Sequence, residues 1–175
     1  DQTGSSFFRK KSMEKVREEI LHYKENFGAE FISFWADTFL AMSKEEFNEF
    51  CKMYNEIQLP FWIQTRPETM DYETFERLKD IGLHKVAIGI EQGNEGFRRN
   101  ILGKKCSNQQ YIKAAKILHD LDIIFQTFNM IGLPDETPEL VMDTVELNRQ
   151  MNPDEIGCSI FSPFYGTPLR QSCID

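Results

Sequence analysis

Two apolar runs in this chain end in residues suited to holding a ligand. Val86-Ala-Ile-Gly-Ile-Glu-Gln-Gly93 closes on a glutamate and a glycine, and Ile123 to Ile131 runs into Gly132-Leu-Pro-Asp-Glu-Thr137. Each reads as a buried strand that stops at a polar, glycine-containing loop with a helix beyond it, and strand ends of this kind build active sites in α/β folds. If the strands are parallel, their ends share one face, which gathers Asp37 and Thr38, Gln64 and Arg66, Glu91 and Gln92, Asn129 and Ser162. A carboxylate such as Glu91 can accept two hydroxyl hydrogen bonds from a ribose, or it can cap a turn or pair with Arg98 or Arg99. Arg66, pushed toward an extended conformation by Pro67, offers a fork of donors for a carboxylate or phosphate, or forms a buried ion pair between loops. Asp37 suits a substrate ammonium or a cap, and Thr38 a carboxylate or, more commonly, a cap.

Other chemistries find no support. Cys51, Cys106, Cys158 and Cys173 include no C-x-x-C pair, so neither a zinc ribbon nor a disulfide framework is indicated. His22, His84 and His119 lack metal-ligand spacing and follow no strand end, which removes a Ser-His-Asp or Cys-His constellation. No P-loop is present, and no G-x-G-x-x-G follows the first strand.

The elements that must position the strand-end residues are legible from periodicity and caps. Met13, Val16, Ile20, Tyr23 and Phe27 recur at helical spacing before Gly28, a C-cap, and Phe31 to Trp35 reads as a short strand. Ser43-Lys-Glu-Glu46 has the form of a capping box, opening a helix whose stripe is Phe47, Phe50, Tyr54 and Ile57. Strand 61–65 follows, then a helix capped by Asp71 and ended by Gly82. Strand 84–91 leads to a short helix at 95–102 and a longer one opened by Ser107-Asn-Gln-Gln110. After strand 123–131, Thr137-Pro138 starts a helix through Leu147; strand 156–161 and a loop to Pro168 complete the pattern. Strand and helix thus alternate five times, the mark of βαβ units and a parallel sheet, and the near-continuous apolar strands fit a barrel or partial barrel.

At 175 residues with 41% hydrophobic content, the chain is long enough for one domain with its own core. A formal net charge of −8 with scattered Lys and Arg argues against direct nucleic-acid binding. No apolar run approaches the roughly 20 residues of a membrane-spanning helix, and no signal-peptide core opens the chain, so a cytoplasmic setting is the default.

Six blocks, in order, resemble the core of radical S-adenosylmethionine enzymes, in the branch with methylthiotransferases and cobalamin-binding members. They are Arg9 to Ile20, Phe34-Trp-Ala-Asp-Thr-Phe39, Thr65-Arg-Pro-Glu68, Ile88-Gly-Ile-Glu-Gln-Gly93 with Asn94 to Arg98, Gly132-Leu-Pro-Asp-Glu-Thr137, and Pro163-Phe-Tyr-Gly-Thr-Pro168. The resemblance implies an α/β fold, a parallel-stranded partial (β/α)6 TIM-like barrel, with residues 1–175 supplying strands two to six. It implies that Glu91 binds the ribose of S-adenosylmethionine, that Asp37 and Thr38 meet the methionine amino group, and that Lys104 meets the methionine carboxylate. Asn129 to Gly132 would lie against adenine, largely through the backbone.

The family's C-x-x-x-C-x-x-C loop, which ligates a [4Fe–4S] cluster, is absent, and none of the four cysteines replaces it by spacing. The expectation is therefore a barrel truncated before or within its first βα unit, inactive alone, from a parent that cleaves S-adenosylmethionine reductively at the cluster. A missing first strand would leave an open edge, inviting a homodimer, cover by the N-terminal tail, or marginal stability. Two other functions remain: a cluster-free domain binding a nucleoside ligand or a protein, and a conventional barrel lyase. The lyase needs a catalytic strand lysine, and Lys85 lies at the start of its strand, the wrong end.

Overall fold

A computed structural model describes residues 10–36 and 38–174. Asp37 falls outside the described residues. Five strands, β1 (Ile32–Phe34), β2 (Phe61–Thr65), β3 (Leu83–Glu91), β4 (Ile124–Ile131) and β5 (Glu155–Ile160), form one sheet in chain order, each parallel to its neighbour. The connections carry α1 (Met13–Phe27), which precedes β1, then α2 (Lys44–Tyr54), α3 (Tyr72–Asp80), α4 (Glu95–Leu102), α5 (Asn108–Asp120) and α6 (Pro138–Met151). A short α7 (Pro168–Ser172) follows the 161–167 loop. Simple sequential order distinguishes a barrel-type sheet from a doubly wound one, in which the order reverses at a switch point.

Strand register shows the two faces. Ile63, Val86 and Phe125 align across β2, β3 and β4, are fully buried, and belong to the core shared with Phe50, Tyr54, Phe75, Leu78 and Leu118 of the helices. On the opposite face the rows read Trp62, Lys85, Ile124 and Gln64, Ala87, Gln126. Helices therefore cover one face, and the second, barrel-interior face carries the row that leads up to Glu91.

The caps form as the sequence implies. Ser43 and Glu46 exchange both bonds of a capping box, at 3.2 and 2.6 Å, as do Ser107 and Gln110 at 3.3 and 2.8 Å. Thr137 caps α6 with Pro138 at the first turn, and α6 continues to Met151, one turn beyond the expected end, where Asn152 takes a left-handed cap. Conversely α2 stops at Tyr54, and Ile57 is buried from the turn that follows. Among the described residues no helix is long and apolar enough to cross a membrane.

Candidate functional site at the ends of β3 and β4

The register between β3 and β4 runs evenly to Gly89↔Phe128 and then slips, so that Glu91 pairs with Asn129 and Ile90 is the extra residue of a bulge. Glu91 itself sits at φ 68°, in the left-handed region that non-glycine residues rarely adopt. A bulge bends and re-aims a strand end, and here the Glu91 side chain comes back over Gly89 on the barrel-interior face. A Cβ on Gly89 would stand 2.5 Å from Glu91 Oε1 and 3.4 Å from Lys104 Nζ. The bare glycine is what leaves room for these two groups.

Lys104 donates to Glu91 Oε1 at 2.9 Å and approaches the Gly89 carbonyl at 3.4 Å. Side-chain exposures of 34% and 22% make this a half-open ion pair at the surface of the site. Its capacity is not used up: Glu91 Oε2 has no partner among the described residues, and an ammonium has three N–H donors. The Glu91 partner is thus Lys104, thirteen residues away, and neither Arg98 nor Arg99. Arg99 pairs with Glu95 along α4, and Arg98 lies buried on backbone carbonyls.

The following residues brace this strand end. Gln92, fully buried, donates to the Leu140 carbonyl at 2.7 Å and to Glu136 Oε1 at 3.2 Å. Glu136 in turn accepts from the backbone N–H groups of Gly132 at 2.6 Å and Leu133 at 3.3 Å. Gly132, at φ 81°, therefore sits in a turn pinned to the β3 end through a two-residue polar bridge. Gly93 donates to Thr144 Oγ1 at 2.8 Å, and a Cβ there would collide with the backbone of Asp143 and Thr144, so α6 packs directly on the loop.

The remaining sequence candidates separate. Asn129 is 3% exposed and its side chain is turned to the helix layer: it donates to Thr127 Oγ1 at 3.3 Å and to the Gly157 carbonyl at 3.1 Å, and accepts from Asn148 at 2.9 Å. Its amide is committed to the fold. Thr38 is half-buried in the turn after β1, where its carbonyl accepts from Ala41 N–H at 3.1 Å. Arg66 is exposed and makes no ion pair among the described residues; its carbonyl receives the Thr69 hydroxyl at 2.8 Å. The structure thus brings together Glu91, Lys104 and, through Gln92 and Glu136, Gly132. Gly89, Gln92 and Arg98 went unread as a unit; a glycine two residues before an acidic strand end, on the same face, is the signal that marks the cleft.

Cys51 and Cys106 are buried and Cys158 and Cys173 exposed, all with free thiols. Desolvation, reinforced by the charge of Glu68, pushes the Cys106 thiol up to about 12. Among the described residues no three His, Cys, Asp or Glu side chains converge to hold a metal ion. The residues present do not fit a cluster's ligand set, whereas the strand-end carboxylate and ammonium are a donor and acceptor set that fits a nucleoside bearing a carboxylate.

Comparison with known proteins shows the fold and the family. The chain is 29% identical over 170 residues to an uncharacterized methyltransferase of Pyrococcus horikoshii, covering 95% of this chain and 36% of the relative. It is 25% identical over 174 residues to the anaerobic magnesium-protoporphyrin IX monomethyl ester cyclase of Cereibacter sphaeroides, covering 96% of this chain and 28% of that protein. The chain thus spans about a third of the length of these curated relatives. Among solved structures, the radical S-adenosylmethionine methyltransferase TsrM of Kitasatospora setae superposes with a TM-score of 0.78 at 16% identity, over 91% of this chain and 31% of that one. Coproporphyrinogen III oxidase of Escherichia coli superposes with a TM-score of 0.73 at 16% identity, over 87% and 37%. The family model described as the radical SAM superfamily matches residues 3–147, and the chain belongs to that superfamily.

Proposed function

We propose that the Glu91–Lys104 pair is the binding site for S-adenosylmethionine in this chain, and that the protein it serves cleaves that cofactor reductively to begin radical chemistry. The superfamily uses S-adenosylmethionine together with a [4Fe–4S] cluster. No step through the cluster is assigned to the described residues, because they offer it no ligand set.

One observation carries the reading: Glu91 is held at φ 68° at a bulge, over a glycine. A non-glycine residue in that region costs of order 1–3 kcal/mol, whereas a half-exposed ion pair contributes about 1 kcal/mol at most. The ion pair alone does not clearly offset that strain, which supports reading this strand end as a ligand site, since the other left-handed non-glycine residues lie outside the strands, apart from the Glu91–Lys104 pair. Glu91 Oε2 accepts from ribose hydroxyls while Oε1 keeps Lys104, and the free N–H donors of Lys104 meet the methionine carboxylate. The 131–136 turn, fixed by Glu136, offers its backbone beside adenine, with the Asn129 side chain held in the helix layer. Thr38, and Asp37 beside it, are proposed to approach the amino group from β1.

Calorimetric titration of the chain with S-adenosylmethionine tests this. Saturable binding that falls at least about tenfold in Glu91→Ala, roughly 1.4 kcal/mol, is expected. Equal affinity in a Glu91→Ala protein with unchanged circular dichroism removes Glu91 from the site.

A further inference from the structure

Arg98 is fully buried, yet among the described residues it meets no carboxylate. Its guanidinium donates instead to three oxygens: the Gln92 carbonyl at 2.5 Å, the Cys106 carbonyl at 2.8 Å and Asn108 Oδ1 at 2.8 Å. The Tyr111 ring lies beneath it, 4.8 Å from guanidinium carbon to ring centroid, and Nε has no hydrogen-bond partner. A buried cation with no carboxylate in direct contact, Glu95 reaching it only by way of Asn108, is a costly way to fill space, and an apolar side chain of similar volume would pack without that penalty. The position of its contacts explains the choice. Gln92 is the residue after Glu91, and Cys106 lies two residues after Lys104, so the fork ties the entry and the exit of the α4 excursion.

The same circuit closes on the site from the other side. The Tyr111 hydroxyl donates at 3.1 Å to the Gly89 carbonyl, the oxygen that Lys104 Nζ also approaches. Asn108 Nδ2 donates to the Gly93 carbonyl at 2.9 Å. A planar fork with fixed directions can hold two carbonyls at a set separation in a way that a single flexible ammonium does not.

We infer that Arg98 is a positioning residue: by clasping the Gln92 and Cys106 carbonyls, it sets the Glu91 carboxylate and the Lys104 ammonium at the spacing that receives the two hydrogen-bonding ends of S-adenosylmethionine. This rests on the cofactor reading above and adds the element that makes two loop residues act as one site. Arg98 acts through Glu91 and Lys104 and touches no ligand.

Two thermodynamic cycles on the full chain separate this from simple core filling. In the first, S-adenosylmethionine affinity is measured by calorimetry in Arg98→Lys, in Asn108→Ala, which trims one arm at a half-buried position, and in each combined with Glu91→Ala. Each single variant is expected to lose about tenfold in affinity while folded, and to lose less than about twofold further in the Glu91→Ala background. Unchanged affinity, or the same tenfold loss on top of Glu91→Ala, overturns the inference. The second cycle needs no ligand: the coupling between Glu91→Gln and Lys104→Met in the urea midpoint is measured with Arg98 and with Arg98→Lys. A coupling that disappears with Arg98→Lys supports the positioning role, and one that persists overturns it. If the wild-type chain binds no S-adenosylmethionine, the cofactor reading fails, and the second cycle still decides the role of Arg98.

Discussion

Glu91 pays for its orientation in backbone strain, and that strain is measurable. Glycine occupies the left-handed region freely, so Glu91→Gly should be more stable than Glu91→Ala by about 1 kcal/mol in chemical denaturation, although both lose the carboxylate. An alanine variant as stable as the glycine variant would remove the strain argument. Gly89→Ala probes the cleft from below. Its methyl would meet the far end of the Glu91 side chain, which can swing aside, so stability should change little while cofactor affinity falls about tenfold by calorimetry. The cysteines give a third outcome. Burial raises the thiol pKa of both Cys51 and Cys106, so at pH 8 iodoacetamide should label Cys158 and Cys173 in the native chain and leave the buried pair until urea is added, as peptide mass mapping would show.

At the scale of elements, α6 holds the β3 and β4 ends from behind. Asn148 accepts from the Thr127 hydroxyl at 2.6 Å and donates to Asn129 Oδ1 at 2.9 Å and to the Thr144 carbonyl at 2.8 Å, all buried. Asn148→Ala leaves the Thr127 hydroxyl proton and Asn129 Oδ1 without their buried partners, and the loss should be roughly 2 kcal/mol in denaturation free energy. A change under about 0.5 kcal/mol would show that the network reorganises. Much of this level was legible in the sequence. Ser43-x-x-Glu46, Ser107-x-x-Gln110 and Thr137-Pro138 announce their helices because capping is local chemistry, and the apolar runs announce their strands although only the helix-covered face of β3 and β4 is consistently buried. The pairing of Glu91 with Lys104 was not legible from spacing, since it depends on how α4 and its left-handed Gly103 cap return the chain; the family resemblance implied only that Lys104 meets the methionine carboxylate. Spacing alone offers Arg98 or Arg99 as a partner for Glu91. The burial of Arg98 on carbonyls is a tertiary fact. Asn129 likewise looked like a strand-end candidate, but the bulge places it opposite Glu91 while its side chain serves the helix layer.

For the whole molecule, the sequential parallel sheet leaves β1 and β5 as edges among the described residues. Beside β1 lies a groove of about 790 Å³ whose walls include Met13, Val16 and Tyr23 of α1 with Phe31, Phe34 and Trp35. An unpaired strand edge beside apolar surface favours association, so the weight-average mass from light scattering should rise with protein concentration; a strict monomer across that range would contradict this. Ribose recognition at Glu91 is open to a direct comparison. Calorimetry of S-adenosylmethionine against its 2′-deoxyribose analogue, on the wild-type chain and on Glu91→Ala, isolates the hydroxyl contact. The wild-type chain is expected to bind the analogue about tenfold more weakly, and Glu91→Ala not to distinguish the two ligands. Equal binding of both by the wild-type chain, or undiminished discrimination in Glu91→Ala, would contradict it.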